Sequence, residues 1–154
     1  MIYFAYGSNM NPGQMAERCP EARTIGVARL IDYCLCFPRM SQSRQCASAG
    51  IEPRPGNAVW GVLYDVPPGD VTVLNHHEGF DPNGPAAQNR HILREVTVLR
   101  MNGSEPVKAM TYFAVPDGTT SPPSPAYMNT IIDGALYHGL PKAYIAALER
   151  VRTA

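Results

Sequence analysis

The chain has 154 residues, of which 45% are hydrophobic and 17% charged, and its thirteen basic and thirteen acidic side chains cancel at neutral pH. This length predicts a single domain over residues 1–154, and the balanced charge argues against a nucleic-acid partner. The start lacks the basic and apolar regions of a signal peptide, and no apolar run approaches the ~20 residues of a membrane span. We therefore expect a cytoplasmic protein without a membrane partner.

The chain opens with a predicted strand at 2–6 that leads through a Gly-Ser-Asn turn into a short helix. Asn11 is the expected N-cap, Pro12 fits the first helical position, and Gln14 is placed to close a capping box. A glycine-containing turn before a helix exposes backbone N–H groups beside the positive end of the helix dipole. The turn is thus a candidate anion site, the alternative being a capped turn that satisfies its own backbone.

The middle of the chain has predicted strands at 28–37 and 58–66, with a polar segment rich in Pro and Gly, Ser41 to Asn57, predicted as a surface loop between them. This region contains most of the cysteines. Because none of the four forms a C-x-x-C pair, we expect buried free thiols rather than disulfides or metal ligands. They are Cys19, Cys34, Cys36 and Cys46.

A second helix is predicted with Asp70 as its N-cap and Gly79 as its stop. Glu78 then lies at the C-terminal end of this helix, where the dipole disfavours an anion. A solvated surface charge is the alternative to a group that exchanges protons. His76 and His77 precede it, but adjacent helical residues point about 100° apart and do not converge on one ion. We expect no metal site there.

The last part of the chain begins with predicted strands at 94–101 and 107–115. A surface loop is predicted at Pro116 to Pro125, and two helices are predicted at about 124–139 and 141–151. Turns rather than crossover helices separate most of the five strands. The fold class predicted is therefore α+β, as a small mixed β-barrel or strongly curved sheet with flanking helices, in preference to a doubly wound sheet.

Four sequence blocks together resemble the γ-glutamylcyclotransferase-like family over nearly the whole chain. They are YFAYGSNM at 3–10, VWGVLYDV at 59–66, LNHHEGF at 74–80 and SPAYMNTIIDGALYHGLP at 124–141. The resemblance implies a small mixed barrel with helices around it. It also implies an intramolecular acyl transfer, in which the α-amine of a γ-glutamyl group attacks its own side-chain amide and releases 5-oxoproline and an amine. A small-molecule γ-glutamyl substrate and no cofactor are implied as well.

The resemblance assigns roles to positions of this chain. In the family, a turn holds the γ-glutamyl group with backbone amides, and this role carries over to Tyr6, Gly7, Ser8 and Asn9. The glutamate of the EG pair is the family's acid/base, which carries over to Glu78. One carboxyl group can take a proton from the attacking amine and deliver one to the leaving nitrogen.

Two tyrosines, Tyr112 and Tyr127, match aromatic positions that line the family's pocket, although each could instead belong to the core. The segment 88–96 departs from many relatives, which have a tyrosine and paired basic residues there. The sequence therefore leaves the leaving amine open, and also the oligomeric state. One alternative is a module that binds a γ-glutamyl or amino-acid carboxylate without turnover, which Glu78 disfavours. A serine hydrolase using Ser8 is disfavoured because no G-x-S-x-G elbow is present.

Overall fold

The computed structural model describes residues 1–103 and 105–154. Its five strands form a closed barrel in the order β1-β3-β2-β4-β5, which confirms the predicted mixed barrel. The strands are β1 (Ile2–Ala5), β2 (Arg23–Ser41), β3 (Cys46–Asp65), β4 (His91–Arg100) and β5 (Pro106–Ala114). Neighbouring strands are antiparallel except where β1 meets β5, and this parallel contact closes the barrel.

Four α-helices flank the barrel, close to the four predicted. They are α1 (Pro12–Arg18), α2 (Pro68–Glu78), α3 (Pro125–His138) and α4 (Lys142–Glu149), with single 3-10 turns at Ser8–Met10 and Ala86–Gln88. α3 has both of its expected end signals, because the Ser124 side chain accepts from the Tyr127 N–H and Gly139 ends the helix with φ +74°. Among the residues described, no helix has the length and apolar character needed to cross a membrane.

The predicted surface loop at Ser41 to Asn57 is wrong. β3 begins at Cys46 and pairs with β2 along a long hairpin whose turn is only residues 42–45. Pro53, Pro55 and Gly56 resemble strand breakers, but this part of β3 is exposed and its ladder is interrupted by bulges. Gly56 has φ +86° and donates its N–H to the Asp32 carboxylate at 2.9 Å, which accommodates the irregularity. The second predicted loop, before α3, is confirmed.

Helix α1 starts as predicted but without the capping box. The Asn11 side chain accepts from the N–H groups of Gly13 and Gln14 at 3.1 and 3.3 Å. The Gln14 side chain turns away from Asn11 and donates to Ser8 and Asn9 instead. Gln14 therefore does not cap α1 but forms hydrogen bonds with the turn that precedes the helix.

Helix α2 starts three residues earlier than predicted. Pro67 is its N-cap and Pro68 its first residue, because a proline at that position has no N–H to leave unsatisfied. Asp70, the predicted cap, lies in the first turn, and its carboxylate accepts from the Glu21 N–H at 2.9 Å. The predicted stop is confirmed, since Gly79 adopts φ +66° immediately after Glu78.

The barrel interior and the helices share one hydrophobic core. Its fully buried side chains include Phe4, Val59, Val62, Leu63 and Val98 from strands, and Met10, Leu74 and Ile131 from the flanking elements. All four cysteines are free, as predicted, but burial was predicted correctly only for Cys19 and Cys46. Cys34 and Cys36 are partly exposed, as are all residues of β2 from 33 to 40.

Helix α3 holds the turn that follows β1. A Cβ atom on Gly134 would lie 2.5 Å from the Met10 carbonyl carbon and 2.6 Å from the Asn11 nitrogen, so helix and turn are in direct backbone contact. The Asn11 side chain also donates to the Thr130 carbonyl at 3.3 Å. The position of the turn is therefore set by a helix more than a hundred residues later in the chain.

Candidate active site

One cavity contains all the predicted site residues. It lies between the end of β1, the C-terminus of α2 and the end of the β2–β3 hairpin. Its lining includes Tyr6, Gly7, Ser8, Asn9, Glu78, Tyr112 and Tyr127. The barrel thus brings together side chains that the sequence places far apart.

The turn after β1 lines this cavity and has backbone donors that the described residues leave unpaired. Gly7 precedes the 3-10 turn with φ −113°, so a left-handed backbone conformation is not the reason for a glycine at this position. A Cβ atom there would lie 3.5 Å from the Ala49 Cβ and 3.9 Å from the Tyr127 hydroxyl, inside the cavity lining. Within residues 1–103 and 105–154, the N–H groups of Gly7, Ser8 and Asn9 have no hydrogen-bond acceptor. An anionic or carbonyl ligand can use them.

Glu78 is the last residue of α2, and its side chain is 17% exposed. Its Oε1 accepts from Asn9 Nδ2 at 3.0 Å and lies 3.9 Å from Arg18 Nη1. On the other side, His91 Nδ1 lies 3.8 Å from Oε2 and 2.9 Å from the Glu78 backbone oxygen. The carboxylate is therefore held in one orientation at the edge of the cavity. Through His91, the segment 88–96 that departs from the family pattern reaches the site.

Asn9 is 3% exposed, and its side chain uses all of its hydrogen-bonding capacity within the protein. The Nδ2 group donates to Glu78 and to the Tyr3 hydroxyl, the latter at 2.9 Å. Oδ1 accepts from Gln14 Nε2 at 2.9 Å and from Arg18 Nη1 at 3.0 Å. Only the backbone N–H of Asn9 is free for a ligand, and the side chain orients Glu78.

The predicted tyrosines are buried and also line the cavity, so the alternatives of core and pocket are both realised. Tyr6 donates its hydroxyl proton to the Tyr112 carbonyl, and Tyr112 donates its own to Asn75 Oδ1, each at 2.5 Å. The Tyr127 hydroxyl accepts from the Ala49 N–H at 2.9 Å. These bonds tie the residue after β1 to β5, β5 to α2, and α3 to β3 around the site.

Burial raises the pKa of each cavity tyrosine above its ordinary value. For Tyr3, Tyr6 and Tyr112 the next cause is the negative charge of Glu78, which also raises the pKa. For Tyr127 burial raises the pKa to about 12, although Arg44 and the bond from Ala49 oppose this. All four phenols are therefore neutral and keep their protons at ordinary pH.

Four arginines that sequence reasoning missed also line the cavity, Arg18, Arg39, Arg44 and Arg90. The Arg44 guanidinium lies 4.7 Å from the centre of the Tyr127 ring and donates to Gln14 Oε1 at 2.7 Å and Ser8 Oγ at 3.3 Å. Arg39 donates to the Val115 carbonyl at 3.0 Å, and its Nε is buried without a partner in the described chain.

Neither Arg39 nor Arg44 lies within 4.0 Å of a carboxylate oxygen among the residues described. Asp117 is near enough for Arg39 to help lower its pKa, but this carboxylate is used mainly by the N–H groups of Thr119 and Met40. The available sequence signal was that Arg39 and Arg44 are the only charged residues between positions 38 and 51. The predicted loop at Ser41 to Asn57 gives Arg44 no defined position relative to the cavity, whereas the paired hairpin does.

Two other interpretations can be compared with this geometry. The Ser8 hydroxyl accepts from Gln14 and Arg44, and no histidine of the described chain forms a hydrogen bond with it, so the arrangement of a serine hydrolase is not formed. The rings of His76 and His77 lie edge to face, with ring centres 6.0 Å apart. No three His, Cys, Asp or Glu side chains of the described residues are grouped to hold a metal ion.

Similar proteins are found both by sequence and by structure. A sequence model of the AIG2-like family matches residues 58–148. Gamma-glutamylcyclotransferase from Homo sapiens is 32% identical over 97% of this chain and 78% of its own length, and that from Mus musculus is 31% identical with the same coverage. A solved structure of a gamma-glutamyl cyclotransferase superposes with a TM-score of 0.89 at 30% identity, covering 100% of this chain and 89% of that one.

Proposed function

Because this chain belongs to the AIG2-like, γ-glutamylcyclotransferase family and is an enzyme of that type, we propose that it cyclises a γ-glutamyl amide. The α-amine nitrogen attacks the side-chain carbonyl carbon and forms the C–N bond of a five-membered ring. The C–N bond to the original amine then breaks. The products are 5-oxoproline and the free amine.

The observation that carries this proposal is the oriented Glu78 carboxylate at the edge of a cavity. The α-ammonium nitrogen must lose two protons in total to become a lactam N–H, and the leaving nitrogen must gain two to depart as an ammonium. Glu78 accepts one proton from the attacking nitrogen and donates it to the leaving nitrogen. Solvent takes and returns the other, so the overall reaction consumes no proton.

The free N–H groups of Gly7, Ser8 and Asn9 supply the second part of the mechanism. They bind the γ-glutamyl moiety through its carboxylate or its carbonyl oxygen, in a turn held rigid by α3. Holding the α-amine and the side-chain carbonyl of one molecule next to each other also favours ring closure over competing conformations.

Arg39 and Arg44 form a cationic wall of the cavity, and this wall favours an anionic substituent on the leaving amine. Arg44 is held by neutral partners, the Gln14 amide, the Ser8 hydroxyl and the Tyr127 ring. A guanidinium in that state retains donors for a carboxylate, and such pairs are strong and directional. Among γ-glutamyl compounds, amides of amino acids and peptides therefore fit this site better than amides of simple amines.

The test is release of 5-oxoproline from a panel of γ-glutamyl amides by the wild-type protein and by Glu78→Gln. Glutamine keeps the size of the side chain and can still accept from Asn9, so we expect a folded protein with similar affinity for 5-oxoproline. Turnover should fall about a hundredfold or more through loss of the acid/base.

The matched control is Glu95→Gln, because Glu95 is an exposed glutamate of β4 whose one ion pair among the described residues is with Lys108 at 3.9 Å. It should retain full turnover. A Glu78→Gln protein with near wild-type turnover would assign the proton transfer to another group. Binding of γ-glutamyl compounds without any 5-oxoproline release by the wild type would instead favour the binding module.

A further inference from the structure

The tyrosines that line the cavity differ in where their hydroxyl protons go. Tyr6 and Tyr112 donate theirs to protein acceptors, the Tyr112 carbonyl and Asn75. Tyr3 and Tyr127 only accept, from Asn9 Nδ2 and from the Ala49 N–H. A phenol can donate one hydrogen bond, and buried donors are normally used. In the described chain, the protons of Tyr3 and Tyr127 are left for a ligand.

Of these two, Tyr3 is beside the acid/base. One nitrogen, Asn9 Nδ2, donates to the Tyr3 hydroxyl at 2.9 Å and to Glu78 Oε1 at 3.0 Å. The two N–H bonds of an amide diverge by about 120°, so the two acceptor oxygens are roughly 5 Å apart. A reacting group between them can be within hydrogen-bond distance of both.

Tyr3 is also fixed in place. It lies in β1 with 4% of its surface exposed. Its ring packs edge-on against Tyr112, with ring centres 5.7 Å apart, and stacks on Tyr64 at 6.3 Å. A rigid donor requires no reorganisation when charge develops next to it, which is the condition for electrostatic stabilisation of a transition state.

We propose that Tyr3 is a catalytic residue that donates a hydrogen bond to the γ-carbonyl oxygen of the substrate as this oxygen becomes the tetrahedral oxyanion. When the α-amine attacks, the carbonyl π electrons move to the oxygen, and they return when the bond to the leaving nitrogen breaks. The Tyr3 proton stays on Tyr3 throughout. Because burial and the Glu78 charge raise the pKa of Tyr3, the donor is present over the working pH range.

This inference rests on the proposed cyclisation, and its first test is Tyr3→Phe. We expect kcat to fall about a hundredfold, the effect typical of losing one oxyanion donor. Affinity for 5-oxoproline, which has no tetrahedral centre at that carbon, should change by less than about threefold. The control is Tyr33→Phe, because Tyr33 packs edge-on against Phe113 outside the cavity and should retain wild-type kcat.

Tyr3→Phe also removes an acceptor from Asn9, so a second series separates donation from positioning. Site-specific fluorotyrosines at Tyr3 keep the ring and hydroxyl but make the phenol a stronger donor and a weaker acceptor. If Tyr3 stabilises the oxyanion, kcat should hold or rise with phenol acidity while the phenol remains protonated. If Tyr3 only holds Asn9, kcat should fall along the series, and this inference is wrong.

The outcomes are distinguishable from failure of the proposed function. Wild-type protein that releases 5-oxoproline, together with Tyr3→Phe at full kcat, overturns the role of Tyr3 alone. Wild-type protein that releases none from any γ-glutamyl amide overturns both. If the Tyr3→Phe protein does not fold, the fluorotyrosine series still tests the role of Tyr3, because it keeps the ring and the hydroxyl group.

Discussion

Arg44 reaches the cavity from the turn of the β2–β3 hairpin, and Gln14 holds it there. The Gln14 side chain donates to Ser8 and Asn9 through Nε2 and accepts from Arg44 through Oε1. The Gln14 amide therefore links Arg44 to Ser8 and Asn9 of the turn after β1, and Asn9 in turn contacts Glu78. Asn11 alone caps α1, which leaves Gln14 free for this role.

The prediction at this scale is that Arg44→Gln discriminates between substrates that differ only in charge. For γ-glutamylglycine, kcat/KM should fall about tenfold or more, because a charge-assisted hydrogen bond to the glycine carboxylate is lost. For γ-glutamylglycinamide, which lacks that charge, the change should be under about threefold. The measurement is kcat/KM for both substrates.

Arg29→Gln is the control for Arg44, since Arg29 also lies over an aromatic ring, 5.6 Å from the centre of Trp60, but outside the cavity. Arg29→Gln should leave kcat/KM unchanged for both substrates. An equal loss for the two substrates in Arg44→Gln would mean that Arg44 binds the γ-glutamyl part, and the proposed preference for an anionic leaving amine would be dropped.

Among elements, the contact between α3 and the 3-10 turn does most to position the site. The turn itself is only three residues long and cannot be stable alone. Backbone contact at Gly134 and the bond from Asn11 to the Thr130 carbonyl fix it against a helix of fourteen residues. Displacement of α3 would move the free N–H groups and, through Asn9, the orientation of Glu78.

Gly134→Ala should therefore reduce stability and turnover together. The added Cβ would overlap the Met10 and Asn11 backbone at 2.5–2.6 Å, so helix or turn must shift. We expect a loss of about 1–3 kcal/mol in the free energy of unfolding. Urea denaturation measures the change in stability, and a turnover assay with a γ-glutamyl amide measures the change in kcat.

The control for Gly134 is Gly69→Ala, near the start of α2, where an added Cβ meets nothing within 4 Å. It should be neutral or stabilise the fold by up to about 1 kcal/mol, because alanine narrows the unfolded ensemble. Gly134→Ala with unchanged stability would show that the helix and turn can separate without cost, and α3 would then have no positioning role.

For the whole molecule, stability should depend on pH through a histidine at the end of α3. His138 packs against Tyr64 of β3, with Nε2 3.4 Å from the hydroxyl. Burial lowers the pKa of His138 below its ordinary value, although a bond to the Met10 backbone opposes this. As the pH falls through about 6.5, the unfolded chain binds this proton before the folded chain does. The folded state therefore loses stability on acidification.

We predict that the free energy of unfolding decreases between pH 7.5 and pH 5, and that His138→Gln makes this dependence shallower. Urea denaturation at several pH values is the measurement. If His138→Gln has the same slope as wild type, the acid sensitivity arises elsewhere, with His77 as the next candidate because burial and Arg18 lower its pKa too.

Local signals in the sequence were sufficient for most elements and for part of the site. Alternating apolar residues indicated the strands, and caps such as Asn11 and stops such as Gly79 and Gly139 indicated the helices. These features are local because the side-chain period and the end signals of an element depend on residues a few positions apart. The same locality placed Glu78 at a helix end and the Gly-Ser-Asn turn before α1.

The tertiary structure alone decided which donors and acceptors meet. The sequence did not indicate that β3 starts at Cys46, because pairing along the hairpin outweighs the local preferences of Pro53 and Gly56. Arg44 entered the cavity only as a result of that pairing. The roles of Asn9 and Tyr3 depend on hydrogen bonds between residues brought together by barrel closure, and no local pattern encodes those partners. A hydrogen bond needs both groups within about 3 Å, a distance that only the folded chain fixes.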